Sequence, residues 1–180
     1  MNISKTLKLD NIAEYLLYMW QVEDIIRVYK FDLDLLDTQY LSQFKLEGAE
    51  HEELREWYGN IIEMMLQEGV KETGHIQINK NIIILLNDLH HELLASPKYP
   101  FYSTAYYQAL PLIVELRSKG CSKAKDELET CFDALYGIML LRMQGKPISK
   151  ETEKGIGVIS RFVGMLADYY KQDKEKPLEF

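Results

Sequence analysis

Apolar residues recur at intervals of three and four along nearly the whole chain, and no stretch alternates convincingly with a period of two. That spacing lays them along one side of α-helices rather than on one face of a strand. Seven helical segments follow from the pattern and its stop signals. The first spans about 11–29, with Asn11 and Glu14 as a capping pair. A short second helix is expected in 33–44, capped by Asp32 or Asp34, within a stretch (30–46) that also holds ambiguous pieces. The third covers 50–67. Glu50, Glu52 and Glu53 crowd its positive end, Leu54, Trp57, Tyr58, Ile61, Met64 and Met65 make its apolar stripe, and Gly69 lies just beyond. The fourth runs over 78–95 and stops before Pro97. The fifth starts near Pro100 and ends before Gly120, with Pro111 predicting a kink or a split. The sixth begins at Ser122 as N-cap and ends at Gln144, before Gly145 and Pro147. Ser149 caps a seventh that lasts to about Tyr170.

Short loops between long amphipathic helices predict an all-α fold, a single-domain bundle of six or seven mostly antiparallel helices. The domain is expected to fill 1–170, and the charged tail 171–180, which contains Pro177, to fray. No repeat of 20 to 50 residues and no linker divides the chain.

Composition narrows the function by exclusion. Across 180 residues there are ten glycines and five prolines, fewer than the roughly 12% of average usage, which disfavours a turn-rich β fold. The formal net charge of -7 argues against nucleic acid, because duplex binding calls for a basic face. The N-terminus carries no apolar stretch ahead of Asp10 and Glu14, so it does not read as a signal peptide. The longest apolar runs, near Ile82–Leu86 and Gly137–Leu141, fall far short of the about 18 residues of a membrane span. The expectation is a soluble, cytoplasmic protein, and the two cysteines, Cys121 and Cys131, match no redox or zinc spacing. There is no phosphate-binding GxxxxGK[ST] loop and no GxSxG elbow. Gly155-Ile156-Gly157 sits in a helical pattern rather than at a strand-to-helix turn. His91-Glu92 begins a zinc HExxH, but Ala95 stands where the second histidine is needed. Glu72 and His75 have ExxH spacing with Gly74 between them in an expected loop. No cofactor and no metal is expected.

A few constellations remain. Glu23 and Arg27, at i, i+4 spacing, fall on the apolar face of a first helix that is hydrophobic nearly all round, which makes that helix central and the two residues a partly buried ion pair. Such a pair is either structural or the polar floor of a ligand cleft. His90 lies among Ile83, Leu86, Leu93 and Leu94, as a core histidine or, beside Glu23, as an acid or base. Tyr99 and Tyr102 open the most aromatic stretch and suit a core, an interface or a pocket rim. Gly157, Ser160 and Gly164 form a small-residue stripe that permits close approach of another helix. The leading expectation is a binding or protein-interaction module, with a homodimer as the commonest closed assembly. The alternative is a small helical enzyme whose cleft gathers Glu23, Arg27 and His90 under a rim of Tyr99 or Tyr102.

The run NIAEYLLYMWQVEDIIR from Asn11, with YPFYSTAYYQALPLIVE from Tyr99, resembles an uncharacterised family of Bacteroidetes proteins classed as a domain of unknown function. The resemblance covers essentially the whole chain. It implies a bacterial, single-domain helical protein and brings no activity, cofactor or catalytic residue with it.

Overall fold

A computed structural model describes residues 3–119 and 126–180. Eight α-helices make up the described chain: α1 (Ile3–Asp10), α2 (Ile12–Val28), α3 (Leu33–Gln39), α4 (Ala49–Gln67), α5 (Gln77–Ala95), α6 (Pro100–Lys119), α7 (Glu127–Met143) and α8 (Lys150–Glu175). A 3-10 turn, Leu41–Phe44, follows α3, and there is no strand among the described residues. The all-helical expectation holds, with one more helix than the pattern predicted.

The extra helix is α1. Its ending explains a detail of the next one. The Asn11 N–H bonds back to Leu7 O, so α1 hands directly on to α2. Asn11 still caps α2, its side chain accepting from the N–H groups of Ala13 and Glu14. Glu14 cannot reach back to an Asn11 N–H that is already used, and it accepts instead from the Asn11 side-chain amide at 3.2 Å. Asp32 and Ser149 cap α3 and α8 in the expected way, accepting from Leu35 and Thr152.

α2 is central. It buries Leu16, Met19, Val22 and Ile26, although Val28 at its end is 74% exposed. α8 lies against α2, α5, α6 and α7, and its Ile159, Phe162, Val163 and Leu166 are buried in the same core as Tyr102, Ile113, Leu128 and Phe132. α4 turns Tyr58, Ile61, Ile62 and Met65 inward.

Several boundaries differ from the pattern. The expected 33–44 helix breaks at Tyr40, where the hydroxyls of Thr38 and Ser42 bond carbonyls one turn back and compete with the helical ladder. Between α2 and α3 the chain reverses through two successive left-handed non-glycine residues, Lys30 and Phe31, a conformation no composition signal announces. α6 runs unsplit through Pro111. The missing N–H leaves the Tyr107 carbonyl without its helical partner, at a residue that is 63% exposed to water. Ser122, Gly120 and Cys121 lie outside the described residues. The described part of α7 is capped by Asp126, which accepts from the Glu129 N–H. α8 continues to Glu175, five residues past the expected end. Beyond it Leu178 packs on the core, and its N–H donates to Asp173. A Cβ at Gly157 or Gly164 would meet nothing within 4 Å, so none of the described helices uses the small-residue stripe there.

Candidate functional site

Glu23 projects from α2 and is fully buried, but its partner is not Arg27. The carboxylate accepts the Ile76 N–H at 3.0 Å, the Asn79 side-chain amide at 2.8 Å and His75 Nδ1–H at 2.5 Å. The local sequence explains the first two. α5 starts after Ile76, a residue with no capping side chain, so its orphan first-turn N–H groups need acceptors from elsewhere. Glu23 supplies one, and Glu68 supplies another to the Gln77 N–H.

The expected Glu23–Arg27 pair is therefore corrected. Arg27 turns to Asp24, one turn earlier, at 2.8 Å. Its other nitrogen donates to the carbonyls of Val70 and Gly74 in the loop before α5. Gly74 adopts φ +88, a left-handed conformation that glycine takes without steric cost. Asp24 also accepts from the Tyr136 hydroxyl at 2.6 Å, and burial, helped by that bond, pushes the phenol well above its ordinary range. The loop is thus clasped twice by α2, through Arg27 and through Glu23.

The second clasp fixes His75. Its ring stacks on Trp20 with centroids 4.1 Å apart and planes 10° apart. One face lies on the indole and one edge on the carboxylate, and the side chain keeps about a fifth of its surface exposed (21%). His75 borders a cavity of about 230 Å³, walled also by Trp20 from α2, Asn79 and Ile83 from α5, and Asp126 and Glu129 beside and on α7. Trp20 Nε1 and Asn79 Oδ1 are buried without a hydrogen-bond partner. Buried polar atoms are nearly always paired, so two orphans on residues that line one cavity set it apart. A hollow of about 280 Å³ between α6 and α8 is lined by Leu112, Leu116 and Ile159 and borders no such atom.

The remaining predicted residues lie elsewhere. His90 is on α5, eleven residues beyond Asn79 and so about 16 Å farther along the helix axis. It is buried against Tyr106 and Phe162 and shares a 2.6 Å hydrogen bond with the hydroxyl of buried Tyr102. Burial, helped by His91, pulls its pKa down to about 4. Tyr99 donates to Glu179 O at 3.0 Å and packs edge-on against Tyr169 and tilted against Phe180, holding the C-terminal tail. The structure brings Glu23 and Arg27 to one loop and His90 and Tyr102 to one core cluster, and it does not bring the two groups together. His51 pairs with Asp37 at 2.8 Å between α3 and α4. Among the described residues no three of His, Cys, Asp and Glu gather as a metal-binding set.

Residues 1–177 match the model of a family described as a domain of unknown function, DUF4924. The chain belongs to that family. No curated protein and no solved structure matches it. For this DUF4924 chain, the argument about function therefore rests on its own site. Trp20, Asp24 and His75 are the site residues the pattern missed. Trp20 stands three residues before Glu23, on the same side of α2, and Gly74 marks the turn that presents His75; those were the available signals.

Proposed function

We propose that this protein is a binding module that holds one small molecule in the cavity beside His75. The observation that carries the reading is the partly exposed imidazole held between Trp20 and Glu23 in the lining of the cavity. Capping α5 needs only the Glu23 carboxylate. It does not require a histidine stacked on an indole, nor unpartnered polar atoms in the adjoining wall. The enzyme reading loses its main support, because His90 is a neutral core residue remote from Glu23. Location in the cytoplasm of a bacterium of the Bacteroidetes, without nucleic-acid partners, accompanies this proposal. It is supported by the net charge of -7 and by the absence, among the described residues, of any helix long and apolar enough to cross a membrane. A homodimer is proposed through α6, where Phe101, Tyr107 and Val114 stand exposed.

The test is a fragment screen read by two-dimensional NMR. Single-ring compounds should shift the Trp20 indole N–H and Ile83 methyl signals, and His75→Ala should abolish those shifts while the helical circular dichroism is kept. Hits that cluster away from Trp20, or no hits, would overturn the proposal.

A further inference from the structure

Beyond α8 the chain leaves Lys176 in an extended conformation (φ -152) and turns back on the fold. Leu178 and Phe180 are two residues apart, so an extended segment carries them on one side and Glu179 on the other. Leu178 packs on the core, the Phe180 ring lies 5.8 Å from that of Tyr99, and the exposed Glu179 side chain stands 3.6 Å from Lys98. The Tyr99 hydroxyl donates to Glu179 O, and Asp173 accepts the Leu178 N–H. From Pro177 on, no backbone–backbone hydrogen bond joins this tail to other described residues. The seat is built without it: Tyr99 packs edge-on against Tyr169, which packs in the same way on fully buried Tyr102. A segment held by a few side-chain contacts on a preformed surface detaches at far less cost than a helix of the core.

The same contacts fix where the tail starts. α8 runs antiparallel to α6, with Gly155 beside Leu112 and, at the other end, Tyr169 beside Tyr99 and Tyr102. Phe101, in the first turn of α6, is exposed and belongs to the face of the homodimer proposed above. Four extended residues reach about 13 Å, so two copies that meet around Phe101 can bring each tail to the other's seat. We infer that the homodimer exchanges its tails, each copy docking Leu178 and Phe180 beside Tyr99 of the other. This rests on the homodimer reading and names what each copy contributes to it. Exchange reproduces the contacts with Lys98, Tyr99 and the core, and only the hinge around Asp173 and Pro177 changes. Closed two-fold symmetry fills both seats at once. The competitor is the chain's own tail, at an effective concentration of about a millimolar, and apolar area buried around Phe101 offsets that competition.

The test uses the full chain and a fluorescent peptide carrying residues 173–180, DKEKPLEF. Leu178→Ser with Phe180→Ser breaks the tail and empties the seat. The peptide should bind this variant about tenfold tighter than the parent, whose own tail competes. Light scattering at about 0.5 mM, near that effective concentration, should find the parent dimeric and the broken-tail variant monomeric. Tyr99→Ala breaks the seat and keeps the tail, and it too should be monomeric. Mixing the two variants joins one intact tail to one intact seat and should restore association. If the serine variant precipitates, Phe180→Ala, which gives up a half-exposed ring, takes its place with the same expectations. A peptide that fails to bind the emptied seat while circular dichroism is intact overturns the inference, as does a mixture that stays monomeric. A broken-tail variant as dimeric as the parent also overturns it, and the homodimer through α6 then stands without exchange. A parent that is monomeric overturns both.

Discussion

Replacing Glu23 with alanine removes the acceptor for three donors at once. His75 is partly exposed and can turn to water, so its loss costs little. The Ile76 N–H and the Asn79 amide belong to residues with no exposure at all, and both lose the partner they have in the folded chain. A buried donor left unsatisfied costs about 1–3 kcal/mol, so the two together cost about 2–6 kcal/mol. Relief from burying a carboxylate offsets part of that, which leaves a net loss of about 3 kcal/mol. For a chain of this size each kcal/mol moves Tm by about 2–4 °C, so Glu23→Ala should melt about 6–12 °C below the parent. Scanning calorimetry at pH 7 measures the shift, and urea unfolding measures the free energy. Glu53→Ala, at an exposed position of α4, is the control and should stay within about 0.5 kcal/mol. Glu23→Gln keeps one oxygen, which can accept from both Ile76 and Asn79 as Glu23 Oε1 does, and should fall between the two. If Glu23→Ala is no less stable than Glu53→Ala, the carboxylate is not what holds the start of α5, and the account of the site fails with it.

His90 has its ordinary pKa of 6.5 lowered to about 4 in the fold. The unfolded chain therefore binds the extra proton first on acidification. Its contribution, up to about 3 kcal/mol, is present above pH 6.5, is lost progressively between pH 6.5 and 4, and changes no further below. Urea midpoints across that window should fall in the parent and fall less in His90→Phe; equal slopes would refute the assignment. Cys131 is fully buried and its thiol is pushed up to about 12, chiefly by burial. In a Cys121→Ser protein it should resist a thiol reagent at pH 8 until urea unfolds the chain, and rapid labelling of the native state would contradict its burial.

The helices were legible because their ends carry local chemistry. Asn11, Asp32 and Ser149 each cap from their own segment, and side-chain oxygen followed by an apolar period is readable from neighbours alone. The polar partnerships were legible only in part. Burial of Glu23 followed from its place on an apolar helix face. The spacing to Arg27 permits an ion pair but does not choose it over Asp24 and two loop carbonyls contributed by residues more than forty positions away. His75 looked like an ordinary loop residue, since what gives it meaning is an indole 55 positions earlier in the numbering. The α1 helix escaped because its apolar face is only Leu7 and its neighbours, too short a run to establish a period.

The acceptor for the Ile76 N–H comes from a residue 53 positions away, and that separation sets an order of assembly. α2 holds its own cap and can nucleate alone, whereas α5 cannot satisfy its first turn until α2 is beside it. During synthesis the N-terminal segments leave the ribosome first, so the carboxylate is already waiting when residues 76–79 emerge. An excised 77–95 peptide should fray from its start, and a permuted chain that makes α5 before α2 should fold more slowly than one that keeps the natural order. The same carboxylate that orients an imidazole in the finished protein also decides which helix must come first.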